Sequence, residues 1–159
     1  MSQITVTFSP WEYELGFQVG IRRYTANWST KDAAHYDRAL MEEDRKASVS
    51  SALCEIAVAK HLNQYWHASV WCASEHAKHR KMPDVGTNIE VRRLRTAPGV
   101  AVRQTDAGRC VWAARIDDPE FRSAVLLGSV DADYALKTGR HIPGKDYVLI
   151  PTDELDPPE

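Results

Sequence analysis

The stretch PDVGTNIEVR, residues 83–92, decides the fold. Its second half alternates apolar and charged residues, so in a strand Glu90 and Arg92 share one face and the apolar residues share the other. The Gly-containing turn before it can bring Asp84 beside that strand. Two carboxylates held together repel each other, and a divalent cation relieves the repulsion. The stretch therefore predicts a strand and a metal site for Asp84 and Glu90, with oxygen ligands of the kind that Mg²⁺ or Mn²⁺ favours.

Upstream, residues 47–66 predict the clearest long helix, since they are rich in Ala, Leu and Ile and lack Gly and Pro. Glu55 is the only polar residue between positions 52 and 59. A carboxylate on an apolar helix face is costly unless it has a partner, a metal or access to water. Glu55 is therefore either part of the same site or the partner of a basic residue on the sheet.

The remaining elements predict an α/β protein with a mixed sheet flanked by helices, because helices come first and strands follow. Predicted strands cover residues 4–8, 68–72, 88–94, 100–103, 110–115, 123–130 and 147–150, and further helices cover 10–28 and 131–138. Residues 29–46 are expected to form an exposed helix or a linking segment, and 76–82 a basic loop. We expect one domain over 1–159, comprising an N-terminal part (1–46), a core (47–150) and an acidic, Pro-rich tail (151–159).

The composition is that of a globular protein, with 43% hydrophobic and 26% charged residues in 159. No apolar stretch approaches the roughly 20 residues that span a bilayer, and the first residues lack the features of a secretion signal. Three widely spaced cysteines argue for reduced thiols. These features predict a cytoplasmic protein without a membrane partner.

The net charge of −2 conceals a segregation of charge along the chain. The last nine residues carry four acids and no base, whereas residues 78–95 are basic. A basic patch can bind a phosphate backbone, and a solvated surface is the alternative. The candidates for nucleic-acid contacts are Lys78, Arg80, Lys81, Arg93 and Arg95.

Taken together, Glu55, Pro83-Asp84 and Glu90-Val91-Arg92 resemble the PD-(D/E)XK nuclease superfamily, in which a helix glutamate precedes Pro-Asp, a short spacer and Glu-X-Lys. The downstream pattern resembles small phage- or prophage-type members. The resemblance implies a restriction-endonuclease-like core and metal-dependent hydrolysis of DNA, single-stranded and branched substrates included. It also implies that Mg²⁺ or Mn²⁺ is bound by Asp84, Glu90 and the Val91 carbonyl, with Glu55 as a direct or water-mediated ligand.

Arg92 departs from the superfamily pattern, which has lysine at this position. Arginine clamps a phosphate but effectively never loses its proton, so it cannot act as a general base. Lys81 or Lys60 would have to supply that role. The alternative function is a catalytically inactive nuclease-like protein that binds nucleic acid or serves in an assembly, with Arg92 in an ion pair with Glu90 or Glu55.

Other patterns lead to weaker hypotheses. The spacing of Cys72, His76 and His79 is compatible with part of a zinc site, but a fourth ligand is missing unless Cys110 comes near. The five tryptophans are expected mainly in the core or at a subunit interface. A small-molecule enzyme has no positive feature. A homodimer is a general expectation for a small domain with exposed strands.

Overall fold

The computed structural model describes residues 2–27, 41–96 and 98–159, without the side chains of 41–43, 73 and 76. The helices are α1 (Pro10–Ala26), α2 (Met41–Leu62), the single turn α3 (His76–His79) and α4 (Ala132–Thr138). The strands are β1 (Ile4–Thr7), β2 (Ile89–Arg93), β3 (Gly99–Arg103), β4 (Cys110–Arg115), β5 (Ser123–Asp131), β6 (Arg140–His141) and β7 (Tyr147–Pro151).

The described strands form two sheets. The larger has the order β1-β5-β4-β2, and only its β2–β4 pair is parallel. The smaller has the order β3-β7-β6 and is antiparallel. The predicted class, an α/β protein with a mixed sheet and flanking helices, is confirmed. Within the described ranges, no helix has the length and apolar character needed to cross a membrane.

Two apolar cores lie on opposite sides of the larger sheet. In the first core, α2 packs against one face of the sheet, and Ile89 and Val91 of β2 belong to it. In the second, the other face packs against β3, β7 and α4. Successive residues of β2 alternate between the two sides, so Glu90 and Arg92 lie away from α2, as their spacing predicts.

Helix α1 begins as the sequence predicts. Ser9 and Glu12 form a capping box, in which each side chain accepts from the other residue's N–H, and Pro10 occupies the first turn. Gly20 faces α2 so closely that a Cβ there would overlap the backbone of Val49. This close approach brings the last turns of α1 within reach of the middle of α2.

Several predicted boundaries are wrong. Helix α2 ends at Leu62, and Trp66 instead forms an isolated bridge with Val85. Residues 68–72 form no strand, because no neighbouring strand is available to them; side chains bond to their carbonyls instead. The predicted basic loop at 76–82 begins with the helical turn α3.

Two further expectations need comment. Most of the segment predicted at 29–46 lies outside the described residues, and its last part, 41–46, belongs to α2. The predicted acidic tail is part of the fold, since Leu155 is buried in the second core and Asp156 bridges Ser129 of β5. Gly128, where a Cβ would meet the Asp156 carbonyl, makes this contact possible.

Candidate active site

Glu55 lies on the buried face of α2 and is paired with a residue of α1. The Arg23 guanidinium donates to both of its oxygens, at 2.7 and 2.8 Å. The indole N–H of Trp66 adds a third bond at 2.8 Å. Only 6% of Arg23 and 5% of Glu55 is exposed, so this is a buried, bidentate ion pair. The basic partner expected on the sheet therefore comes from a helix instead.

Asp84 is held at the edge of β2 that faces away from β4. Its backbone N–H donates to the Ile89 carbonyl, and its Oδ2 accepts from the Val91 N–H at 2.9 Å. No described residue donates to its other oxygen, Oδ1, although only 9% of the residue is exposed. Burial, followed by repulsion from Glu55 and Glu90, raises the pKa of Asp84 well above its ordinary value.

Val91 offers its backbone to the same edge as Asp84. The carbonyl of Asn88 and the N–H of Leu94, which flank β2, are both hydrogen-bonded to the backbone of β4, so the even-numbered residues face β4. Since the N–H and C=O of a strand residue point to one side, both groups of Val91 face the open edge. The carbonyl that the resemblance implies as a ligand therefore lies on the side occupied by the Asp84 carboxylate.

Glu90 is enclosed by two arginines. Its Oε1 accepts from Arg92 at 2.7 Å, and its Oε2 accepts from Arg109 at 2.6 Å. Arg92 also donates to both oxygens of Asp106, at 2.8 and 2.7 Å, and to the Ala101 carbonyl at 3.3 Å. Burial lowers the pKa of Arg92, but the pairing with Glu90 and Asp106 outweighs it and leaves the pKa raised.

Sequence reasoning missed four residues of this cluster: Arg23, Trp66, Asp106 and Arg109. Arg23 carried a detectable signal, because it shares a helix face with Gly16, Val19 and Gly20, where a charged residue needs a partner. Asp106 follows β3 in a short 3₁₀ turn, and only its burial in the fold marks it. Nothing local distinguishes Arg109 from a surface arginine.

The cluster does not balance its charge. Four carboxylates (Glu55, Asp84, Glu90 and Asp106) meet three guanidiniums (Arg23, Arg92 and Arg109), which leaves one formal negative charge. Asp84 is the one carboxylate of the four without an ion pair to the described residues, and its raised pKa means that a proton can neutralise this charge. Among the described side chains, no three His, Cys, Asp or Glu residues are arranged to hold a metal ion.

The predicted nucleic-acid contacts lie in two places. Lys78, Arg80 and Lys81 are exposed on and just after α3. Arg93 and Arg95 lie at the end of β2, and neither has a carboxylate partner among the described residues. Burial, together with repulsion from Arg95, lowers the pKa of Arg93. Since successive residues of β2 alternate between its faces, Arg93 lies on the α2 side, opposite Glu90 and Arg92.

The other candidate residues lie apart from the carboxylates. Lys60 binds Glu12 and the Thr7 carbonyl, both at 2.9 Å, so it is engaged at the β1–α1 corner. The Cys72 thiol contacts Ser74 and Glu75. The Trp71 ring is stacked on His79 at 3.4 Å and contacts the Arg23 guanidinium at 4.9 Å. Trp11 is exposed on α1, outside both cores.

Comparison with known proteins adds no relative: no family model matches the chain, and no curated protein or solved structure matches it significantly.

Proposed function

We propose that this protein is a Mg²⁺- or Mn²⁺-dependent nuclease that hydrolyses DNA phosphodiester bonds on a restriction-endonuclease-like core. The observation that carries the proposal is the buried Asp84 carboxylate, which is repelled by Glu55 and Glu90 and whose Oδ1 accepts from no described residue. Burying a charged carboxylate near two others is costly, and either a proton or a cation removes that cost. We call Glu55, Asp84 and Glu90 the acidic centre.

The donor set suits a hard divalent cation. Asp84 Oδ1 and the Val91 carbonyl would hold it, and Glu90 and Glu55 would contribute directly or through water once a guanidinium gives way. Such a cation lowers the pKa of a bound water and neutralises charge on the scissile phosphate. Arg92 would stabilise that charge as a fixed cation, and its bonds to Asp106 hold the guanidinium in place.

The DNA backbone would bind the basic side chains that precede Asp84 and follow Glu90 along the chain. Arg93 and Arg95 are free of carboxylate partners within the described chain, so phosphates need not displace an existing ion pair. Contacts of this kind are largely independent of sequence and weaken as the salt concentration rises.

The test is cleavage of labelled single-stranded and duplex DNA in Mg²⁺, Mn²⁺ or EDTA. Asp84→Asn keeps the shape of the side chain and removes its charge. Asp117→Asn is the matched control, since Asp117 pairs with Arg115 in an exposed position. We expect cleavage that needs metal, disappears in Asp84→Asn and persists in Asp117→Asn. Metal-independent cleavage, or equal cleavage by both variants, would contradict the proposal.

A second candidate function is a catalytically inactive, nucleic-acid-binding or assembly protein, and a specific observation favours it. Both oxygens of Glu55 and both of Glu90 already accept from arginines. In such a protein Mg²⁺ and Mn²⁺ leave the melting temperature unchanged, and DNA binding in EDTA equals DNA binding in Mg²⁺. In the nuclease, either metal raises the melting temperature of the wild type and not that of Asp84→Asn.

A further inference from the structure

We infer that Arg23 and Arg109 are positioning residues. They hold residues 67–82, here called the bridging segment, beside the acidic centre. The segment becomes looser when a group other than its arginine partner neutralises Glu55 or Glu90. The inference deepens the proposed function, and it rests on that function only where it names a divalent cation as a group that neutralises Glu55 or Glu90. It concerns the segment that carries Lys78, Arg80 and Lys81.

The bridging segment has little else to hold it. None of its described residues belongs to either apolar core, and none lies in a strand. Its first residue, His67, is bonded to the Asp84 turn through its backbone N–H and its ring. Beyond that point it forms short turns, and the Asn27 side chain of the α1 C-terminus donates to the Trp71 carbonyl at 2.9 Å. A segment with few buried apolar contacts depends on individual polar contacts for its placement.

Arg23 connects the segment to Glu55. Two of its nitrogens bind the carboxylate, and its Nε donates to the Ser69 carbonyl at 2.7 Å. The guanidinium also contacts the Trp71 ring, whose stacking on His79 extends the contact to α3. One planar group thus binds a catalytic carboxylate and the first half of the segment together.

Arg109 makes the equivalent connection to Glu90. Its Nη1 donates to Glu90 Oε2 at 2.6 Å, and its Nη2 donates to the Arg80 carbonyl at 2.9 Å. Its side chain is 11% exposed, so solvent competes little for the bond to Glu90, whereas the bond to the Arg80 carbonyl is exposed. The Arg80 carbonyl lies between Lys78 and Lys81, and Arg109 therefore fixes the basic part of the segment relative to the acidic centre.

In both connections the stronger bond is the one to the carboxylate. A bond between two charged groups is roughly twice as strong as one to a neutral carbonyl. If Glu90 loses its charge or turns to another cation, Arg109 loses the contact that orients it, and its bond to Arg80 weakens as well. The state of the acidic centre is thereby transmitted to the lysines and arginine expected to contact DNA.

Limited trypsin digestion of the full chain tests this, because Lys78, Arg80 and Lys81 are exposed cleavage sites within the segment. The rate of cleavage at 78–81 is measured in EDTA for wild type, Arg109→Ala, Glu90→Gln and the double variant. We expect both single variants to be cleaved about fivefold faster, the effect of losing one net hydrogen bond on a local opening equilibrium. The double variant should be cleaved no faster than either, since both changes break one connection.

Two controls separate local from global effects. Arg115→Ala removes an ion pair with Asp117 at the other end of β4, and should leave cleavage at 78–81 unchanged. Arg109→Lys keeps the charge but cannot bind both partners, so it should be cleaved at a rate between those of wild type and Arg109→Ala. Arg109→Lys also replaces Arg109→Ala in the comparison with wild type if Arg109→Ala does not fold. Wild-type cleavage rates in folded Arg109→Lys and Glu90→Gln would overturn the inference.

Adding Mn²⁺ to the wild type and measuring both the melting temperature and the cleavage at 78–81 provides a separate test. If it raises the melting temperature and accelerates cleavage at 78–81 in the wild type, the cation loosens the segment as proposed. If it raises the melting temperature without changing cleavage, loosening by the cation is refuted. If it does neither, the proposed nuclease function fails, and the EDTA comparison of the variants still decides whether the arginines position the segment.

Discussion

Asp84→Asn should make the protein more stable in the absence of metal, although most substitutions of buried polar residues destabilise. The carboxylate is 9% exposed, is repelled by Glu55 and Glu90, and has one hydrogen-bond donor on Oδ2 and none on Oδ1 among the described residues. Asparagine has the same shape, carries no charge and still accepts from the Val91 N–H. The substitution therefore removes the electrostatic cost and keeps the geometry.

The size of the gain follows from two opposing contributions. A buried polar group left without partners costs about 1–3 kcal/mol, and more when it is charged. In the variant the Val91 N–H donates to a neutral oxygen instead of a charged one, and this weaker bond reduces the gain in stability by about 1 kcal/mol. We expect a net stabilisation of up to about 2 kcal/mol near pH 8. For a chain of this length, that corresponds to an increase in melting temperature of up to roughly 8 °C.

The pH dependence identifies the cause. The pKa of Asp84 is raised in the folded protein above the ordinary value of 3.8. Well below that ordinary value, at about pH 3 and lower, Asp84 is protonated in both states, and its charge no longer separates the stability of wild type from that of the variant. As the pH rises through the folded-state pKa, the wild type loses the stability that the bound proton gave it, and Asp84→Asn does not. The difference between their free energies of unfolding should therefore increase with pH.

The assay is urea unfolding in EDTA at several pH values between 4 and 8, followed by the same series in Mg²⁺. Metal that binds only the folded state adds about 2.7 kcal/mol at 100 times its dissociation constant. In saturating Mg²⁺ the wild type should therefore become the more stable protein. The reasoning is refuted if the variant is less stable than wild type at pH 8 in EDTA, or if their difference does not change with pH.

Three further predictions concern other parts of the cluster and the fold. Arg92→Lys should lower the free energy of unfolding by about 1.5–3 kcal/mol in urea titrations, because lysine cannot bind Glu90 and both oxygens of Asp106; unchanged stability would contradict this. Gly20→Ala should lower it by about 1–3 kcal/mol, since the methyl group overlaps the α2 backbone, and a higher melting temperature would disprove the close contact. Burial raises the pKa of the Cys54 thiol to about 12, so iodoacetamide at pH 8 should modify it only after unfolding, as mass spectrometry would show.

The elements that the sequence predicted well depend on local signals. Strand β2 follows from the alternation of apolar and charged residues over 89–92, and the start of α1 from the Ser9–Pro10–Glu12 pattern. Both signals are complete within one turn or one strand. The predicted strand at 68–72 failed because a strand also needs a neighbour, and the sequence contains no local sign of which backbone will lie alongside.

The acidic centre was only half predictable for a related reason. Glu55 is conspicuous as a lone carboxylate on an apolar helix face, and the alternation of β2 places Glu90 beside Arg92. Their partners Arg23 and Arg109 lie 32 and 19 residues away along the chain, respectively. Such pairs are fixed by the approach of α1 to α2 and by the parallel pairing of β2 with β4, which are properties of the tertiary fold.

The group that neutralises Asp84, a cation or only a proton, distinguishes the proposed nuclease from the catalytically inactive protein. Buried ion pairs seldom stabilise a fold more than apolar residues of the same size, so a cluster of four carboxylates is a poor device for stability alone. Asp84 has no ion-pair partner among the described residues, and its raised pKa means that a proton neutralises it when no cation is bound. Proteins retain such local conflicts mainly at functional sites. A cation that replaces this proton would lie at a strand edge with a backbone carbonyl, and this is the strongest physical argument for a cation at Asp84 rather than a network that only holds the helices to the sheet.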